Sequence, residues 1–299
     1  MKRVDLKVWF ACNNHCKFCV QGNKRLKYKQ RTLEEIINIL KFEYLNWCRS
    51  VVFTWWEPTI HKDILLCIKQ AKALWYSQIQ IQSNWRAFSN YNFLIELIEA
   101  GITEFSPAIH WFRPETHDFL VGCKGAWQEV IDWLINLIKL NQIVLVNVVI
   151  TSDNYKELPQ LALLLCRLWV YKYQFAYVHI LGNADINKDA VVPKKTDIMP
   201  YLKKGLDIWN KHWILCSTEA IPYCLMKWYE WHITENKTLL TTVVDAECRT
   251  ENYVDYRLYQ WKTKRYECKS CRYFKKCEWP WKEYPQIYWW NEFVPVINE

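Results

Sequence analysis

Short β-branched runs alternate with longer helical patterns through the first two-thirds of this 299-residue chain, a rhythm that leaves few folds open. Strands joined by helical crossovers lie parallel, because each crossover returns the chain to the end where the previous strand began. Strands are predicted near 6–11, 51–54, 78–83, 104–110, 144–150 and 174–181. Helical patterns fall between them near 33–47, 61–75, 90–100, 126–141 and 154–168, and another follows near 197–212 after a loop at 183–196. The helix at 33–47 opens on Thr32 ahead of Glu34 and Glu35, a capping arrangement. Strand spacings of roughly 25–40 residues suit an α/β barrel or open sheet, and six strands predict a partial (β/α)6 TIM-like barrel over 1–200.

From about residue 215 the rhythm breaks down, and five cysteines from Cys224 onward replace it. Residues 201–299 therefore read as a small, irregular, Cys-rich domain that needs a metal to hold its shape. The polar start does not fit a signal peptide, and no stretch of about 18 uncharged apolar residues appears. The expected location is the cytoplasm, where thirteen cysteines read as metal sites before disulfides. The net charge of +8 is compatible with nucleic acid or an acidic peptide and decides neither.

Cys12-Asn-Asn-His-Cys16-Lys-Phe-Cys19 is a C-x3-C-x2-C motif directly after the first predicted strand. Three thiolates this close can ligate three irons of a [4Fe-4S] cube and leave the fourth iron without a protein ligand. The competing reading is a structural zinc site, which prefers four ligands and finds no fourth nearby in sequence. Downstream, Cys268-Lys-Ser-Cys271-Arg-Tyr-Phe-Lys-Lys-Cys277 is a C-x2-C-x5-C run. Four thiolates there would close a second cluster, suited to electron transfer or structure; a zinc ribbon-like site is again the alternative.

These motifs resemble those of the radical S-adenosylmethionine (SAM) superfamily, in particular members with a C-terminal auxiliary-cluster domain of SPASM or twitch type. The resemblance covers essentially the whole chain. It implies that SAM occupies the open iron, and that an electron from the cluster breaks a C–S bond to give a 5′-deoxyadenosyl radical. It places Phe18 near the adenine, and Ser83, Asn84 and Asn147 toward the SAM carboxylate or ribose. For Asn147 a satisfied buried amide is an equal reading. It makes Cys224 the best fourth ligand to the downstream triplet, with Cys248 the rival and Cys216 weaker, in a single-cluster form of the domain. An electron donor such as flavodoxin or ferredoxin is implied as partner.

The family's Gly-Gly-Glu-Pro motif, whose backbone receives the SAM amino group, aligns with Trp55-Trp56-Glu57-Pro58. Both glycines are tryptophan here, and indoles would fill the space of the methionine moiety. The chain holds 19 Trp and 6 Gly, where roughly 21 glycines would be ordinary. Trp9, Trp47, Trp75, Trp85, Trp133, Trp169, Trp213, Trp228, Trp261, Trp279 and Trp289 mostly fall at helix ends or turns. Recoding accounts for both counts, if UGA codons read as glycine by the source are written as Trp. A deliberate redesign and a degenerate protein are the alternatives. Trp127, Trp231, Trp281 and Trp290 fit authentic tryptophans.

His110 and His179 end strands on the presumed active-site side, where packed histidine is the commoner state. Cys48, Cys67, Cys123 and Cys166 stand alone and read as small apolar residues. The expected function is radical modification of a peptide, protein or other medium-sized substrate, by resemblance alone. RNA or nucleotide modification is the alternative enzyme, with nucleic acid not favoured. A catalytically inactive Fe-S or zinc protein follows if Trp55 and Trp56 are authentic. The codons at 55 and 56 are expected to be UGA; UGG at both would end the recoding account.

Overall fold

β1 (Lys2–Lys7) sets the pattern for the whole sheet, with Arg3, Asp5 and Lys7 on one face and Val4 and Leu6 on the other. The structure, a computed structural model, describes residues 1–54, 57–86, 91–212, 214–235 and 238–297. Trp55, Trp56 and Trp213 lie outside the described residues. α1 (Leu33–Leu45), β2 (Cys48–Thr54), α2 (Ile64–Ala73), β3 (Gln78–Ser83), α3 (Tyr91–Ala100) and β4 (Glu104–Pro107) continue the βα rhythm. α4 (Pro114–Val121), α5 (Ala126–Lys139), β5 (Leu145–Ile150), α6 (Leu158–Arg167) and β6 (Lys172–Tyr177) follow. Two short helices, α7 (Asn183–Ile186) and α8 (Lys188–Val191), lead to the long α9 (Lys195–His212).

Strands β1 to β4 pair in parallel in the order β4-β3-β2-β1. Parallel bridges Phe105–Val144 and Ala108–Asn147 join β4 to β5, and β6 pairs on β5. Two further parallel strands come from beyond residue 200. β7 (Leu215–Glu219) pairs on β6, and β8 (Leu240–Val244) pairs on the free edge of β1. The partial barrel is thus as expected but wider, and its sheet draws on residues assigned by sequence to the appendage. Among the described residues β7 and β8 do not pair, so the barrel stays open between them. After β9 (Arg249–Thr250), regular structure reduces to α10 (Tyr253–Tyr256), a π-helical turn at Arg257–Trp261, short turns and α11 (Tyr284–Tyr288). Among the described residues no helix is long and apolar enough to cross a membrane.

The apolar core lies between the outer face of the strands and the helices. Val4, Leu6, Val51, Phe53, Ile81 and Phe105 are fully buried there with Ile36, Leu40, Ile68 and Leu94. Register keeps these faces aligned, since Val4 pairs with Val51, Leu6 with Phe53 and Phe53 with Ile81. Each such side chain contributes about 1.5–3 kcal/mol of transfer free energy. The inner face is polar: Arg3, Gln80, Gln82, Asn147, Lys172, Gln174 and Glu219 line a luminal cavity of about 330 Å3. The Thr32 cap forms as expected, with Glu35 N–H donating to Thr32 Oγ1 at 3.2 Å and Thr32 N–H to Glu35 Oε2 at 2.7 Å.

Helix ends place several tryptophans at backbone positions that favour glycine. α2, α3, α5 and α6 close in a similar way: a residue with positive φ lies two past the helix, or one past it in α3, and the next N–H bonds back five residues. Those positions are Trp75 (φ 63°), Gly101 (119°), Asn141 (54°) and Trp169 (55°). Trp47, Trp85, Trp228, Trp279 and Trp289 also have positive φ, leaving only Asn141 and Ala220 as other non-glycine cases among the described residues. A bulky side chain costs about 1–2 kcal/mol in this region, and glycine costs nothing there. Trp75 and Trp169 gain little in return, being 80% and 77% exposed. Replacing both by glycine (W75G/W169G) is expected to raise thermal stability by about 1 kcal/mol per site. A lower midpoint in thermal denaturation would contradict the assignment of these positions as glycine sites.

Candidate active site

The loop that leaves β1 carries Cys12, Cys16 and Cys19, and it is tied down by backbone from distant elements. His15 N–H donates to Val121 O at 2.9 Å and Lys17 N–H to Leu120 O at 3.0 Å, from the end of α4. Asn183, opening α7, donates its N–H to Cys19 O at 2.8 Å and its Nδ2 to Cys16 O at 3.0 Å. Two glycines permit this approach. A Cβ at Gly122 would sit 2.8 Å from His15 O, and one at Gly182 would sit 2.6 Å from Val20 O. Arg86 adds a clamp from beyond β3, with Nη1 on Asn13 O at 2.5 Å and Nε on Glu129 at 2.9 Å.

All three thiols line one cavity of about 360 Å3 at the carboxyl ends of the strands, and no fourth cysteine lines it. Cys12 Sγ accepts from Asn14 N–H at 3.4 Å and from Asn84 Nδ2 at 3.3 Å. Burial first, then nearby charges including Glu57 and Cys19, pushes the Cys12 thiol up to about 11. Burial pushes Cys16 well above its ordinary range, and the neighbouring thiols add to the shift. Three thiolates in such a pocket need a compensating cation, which is what an iron–sulfur cluster provides.

Phe18, Ser83, Asn84 and Asn147 line the same cavity, as does Tyr253. Glu57 is fully buried, and its carboxylate is taken up by the protein. Glu57 accepts from Thr59 N–H at 3.1 Å, Thr59 Oγ1, Ser83 Oγ at 2.5 Å and Asn84 N–H at 2.7 Å. This carboxylate fixes the ends of β2 and β3 relative to each other, so any contact from Glu57 to a ligand would be through its backbone. Pro58 opens the turn Pro58–Ile60, in which Pro58 and Thr59 are buried. Sequence reasoning missed Gly122, Gly182, Asn183 and Arg86; the signal available was that two of only six glycines fall here.

The C-terminal thiols also converge. Cys224, Cys268, Cys271 and Cys277 line a second cavity of about 30 Å3, walled by Pro222, Phe274 and Pro295. Trp279 N–H donates to Cys277 Sγ and Val296 N–H to Cys271 Sγ, each at 3.4 Å. Burial pushes the Cys224 thiol up to about 12, and Cys277, Cys271 and Cys268 reinforce it. Cys248 is exposed in the β8–β9 turn and Cys216 is buried in β7; neither lines this cavity. Among the described residues no three His, Cys, Asp or Glu side chains are grouped to hold a single metal ion. A mononuclear zinc site would draw its sulfurs to about 2.3 Å from one point. Cys48, Cys67 and Cys166 are buried and line neither thiol cavity, and Cys123 is half-buried.

An ion network links the two regions. Arg257, in the π-helical turn and lining the first cavity, bonds Glu219 of β7 at 3.0 Å and Glu278 at 2.8 Å. Glu278 directly follows Cys277.

A profile of the radical SAM superfamily matches residues 6–165, more than half of the chain. The chain belongs to this superfamily, whose family cofactors are a [4Fe-4S] cluster and SAM. It is 27% identical over 115 residues to a probable GTP 3',8-cyclase of Thermococcus kodakarensis, covering 38% of this chain and 36% of that protein. It is 24% identical over 182 residues to a probable GTP 3',8-cyclase of Saccharolobus islandicus, covering 60% and 58%. The chain thus spans less than two thirds of either relative. Its fold is similar to SuiB of Streptococcus suis bound to S-adenosylmethionine, with TM-score 0.67, 15% identity, and coverage of 92% of this chain and 72% of that one. It is also similar to anSMEcpe with bound AdoMet, with TM-score 0.66, 16% identity, and coverage of 93% and 89%.

Gly182→Ala is expected to destabilise the fold by about 2 kcal/mol more than Gly125→Ala. Both positions have left-handed backbone, but nothing lies within 4 Å of a Cβ at Gly125. Equal losses in denaturant titration would show that Gly182 does not hold the cysteine loop.

Proposed function

We propose that Cys12, Cys16 and Cys19 ligate the SAM-cleaving [4Fe-4S] cluster, and that Cys224, Cys268, Cys271 and Cys277 ligate a second, auxiliary one in a C-terminal domain of SPASM or twitch type. One observation carries the reading: three thiols open on a single cavity that no fourth cysteine lines. Bound there, cluster and SAM supply reductive cleavage of the sulfonium and an adenosyl radical that abstracts hydrogen from substrate. The chain's own residues hold the loop and donate N–H groups to Cys12. At the second site four thiols leave no iron open, which suits electron transfer or structure.

The favoured substrate is a peptide or protein. Similarity in fold that runs over nine-tenths of this chain to SuiB, also solved bound to precursor peptide SuiA, supports it. A nucleotide substrate is the second reading, favoured by the names of the cyclase relatives. An electron donor such as flavodoxin or ferredoxin completes the scheme.

The test is anaerobic reconstitution of the Trp55→Gly/Trp56→Gly protein, with iron analysis and an assay for reductant-dependent 5′-deoxyadenosine. About eight irons per chain are expected, falling by about four in Cys268→Ser/Cys271→Ser. Cys12→Ala/Cys16→Ala/Cys19→Ala is expected to abolish 5′-deoxyadenosine. Zinc with little iron would overturn the auxiliary cluster, and 5′-deoxyadenosine formation in the triple variant would overturn the first assignment.

A further inference from the structure

His110 follows β4 and is fixed on three sides. Its N–H donates to His117 Nδ1 at 3.2 Å, and its carbonyl accepts from Asn154 Nδ2 at 2.9 Å. Its ring Nδ1 accepts the Val149 N–H of β5 at 3.1 Å. A ring nitrogen that accepts a backbone N–H carries no proton, so the neutral imidazole holds its proton on Nε2. Burial, with His117 adding to it, keeps the ring neutral, its pKa well below the ordinary histidine value. Among the described residues no group accepts from Nε2.

The ring lies against the residue expected beside the adenine. The two rings, His110 and Phe18, meet edge to face, with centroids 4.7 Å apart and planes at 82°. His110 is only 4% exposed, yet it lines the cavity that holds the three thiols. An N–H donor without a protein partner in such a cavity calls for an acceptor from whatever fills it. Adenosine offers ring nitrogens and ribose oxygens as acceptors.

We propose that His110 Nε2–H is a hydrogen-bond donor to the adenosine moiety of SAM bound beside Phe18. The proposal rests on the cofactor site argued above. The donor is permanent: locked in one tautomer, it binds and orients the nucleoside and takes no part in proton transfer.

His110→Asn tests it, because the shorter amide keeps an acceptor toward Val149 and withdraws the donor from the Nε2 position. His110→Gln, with its amide nearer that position, serves as the partial restoration. In the Trp55→Gly/Trp56→Gly background, SAM affinity is read from its perturbation of the reduced cluster's EPR signal, without substrate. The expected result is about tenfold weaker SAM binding in His110→Asn, recovered in part by His110→Gln, with iron content unchanged. Thermal midpoints of the cluster-free proteins give the second readout, and those of parent and His110→Asn are expected to agree. SAM binding by His110→Asn within about twofold of the parent would overturn the proposal. So would a loss of affinity that tracks a lowered midpoint and is not restored in His110→Gln, which marks a packing role. A parent that assembles no cluster or binds no SAM overturns the site reading itself, and this proposal with it.

Discussion

The strands present two unlike faces, and the rest of the molecule depends on that difference. A parallel sheet buried on both sides ordinarily reads as near-continuous apolar runs. Here Gln-Ile-Gln-Ile-Gln in β3 alternates, with Ile79 and Ile81 in the core and Gln80 and Gln82 lining the lumen. Hydrophobic burial therefore acts on the outer face and fixes the register. The lumen is free to stay polar and hollow, and its cavity shares Gln82, Asn147 and Glu219 with the cavity of the three thiols. The interior is built as a site rather than packed as a core.

At the mouth of that lumen, order is supplied by backbone rather than by side-chain packing. Leu120 and Val121 from α4 and Asn183 from α7 bond the peptide groups of the cysteine loop, with Gly122 and Gly182 allowing the contact. Glu57 does the same for the ends of β2 and β3 through Ser83, Asn84 and Thr59. A loop held in this way presents its thiols at defined positions before any cluster binds, which lowers the entropy cost of assembly. The Arg257 network carries the same rigidity toward the C-terminal thiols, since Glu278 joins Arg257 and adjoins Cys277.

The βα units were legible because each strand had a clear apolar side and each helix a recognisable start or stop, as at Thr32. β7 and β8 were not. Leu-Cys-Ser-Thr-Glu at 215–219 is short and polar, and only its pairing with Phe175 and its neighbours makes it a strand. α4 escaped notice although Pro114 occupies a first-turn position that favours proline. The two cysteine motifs were visible as spacings, and resemblance ranked Cys224 over Cys248; of these two, Cys224 lines the cavity of the downstream triplet. Clamps such as Asn183 on Cys16 join residues far apart in sequence and leave no local trace. The tryptophans were suspect by number, and their backbone angles at the ends of α2 and α6 give the physical reason.

The central claim is that Cys12, Cys16 and Cys19 leave one iron corner open to SAM. Electron–nuclear double resonance on the reduced cluster, with SAM labelled isotopically at its carboxylate oxygen and amino nitrogen, tests it most directly. The account predicts hyperfine coupling from both labels, lost in Cys16→Ala. An intact cluster that saturates with SAM and shows no coupling to either label would contradict it.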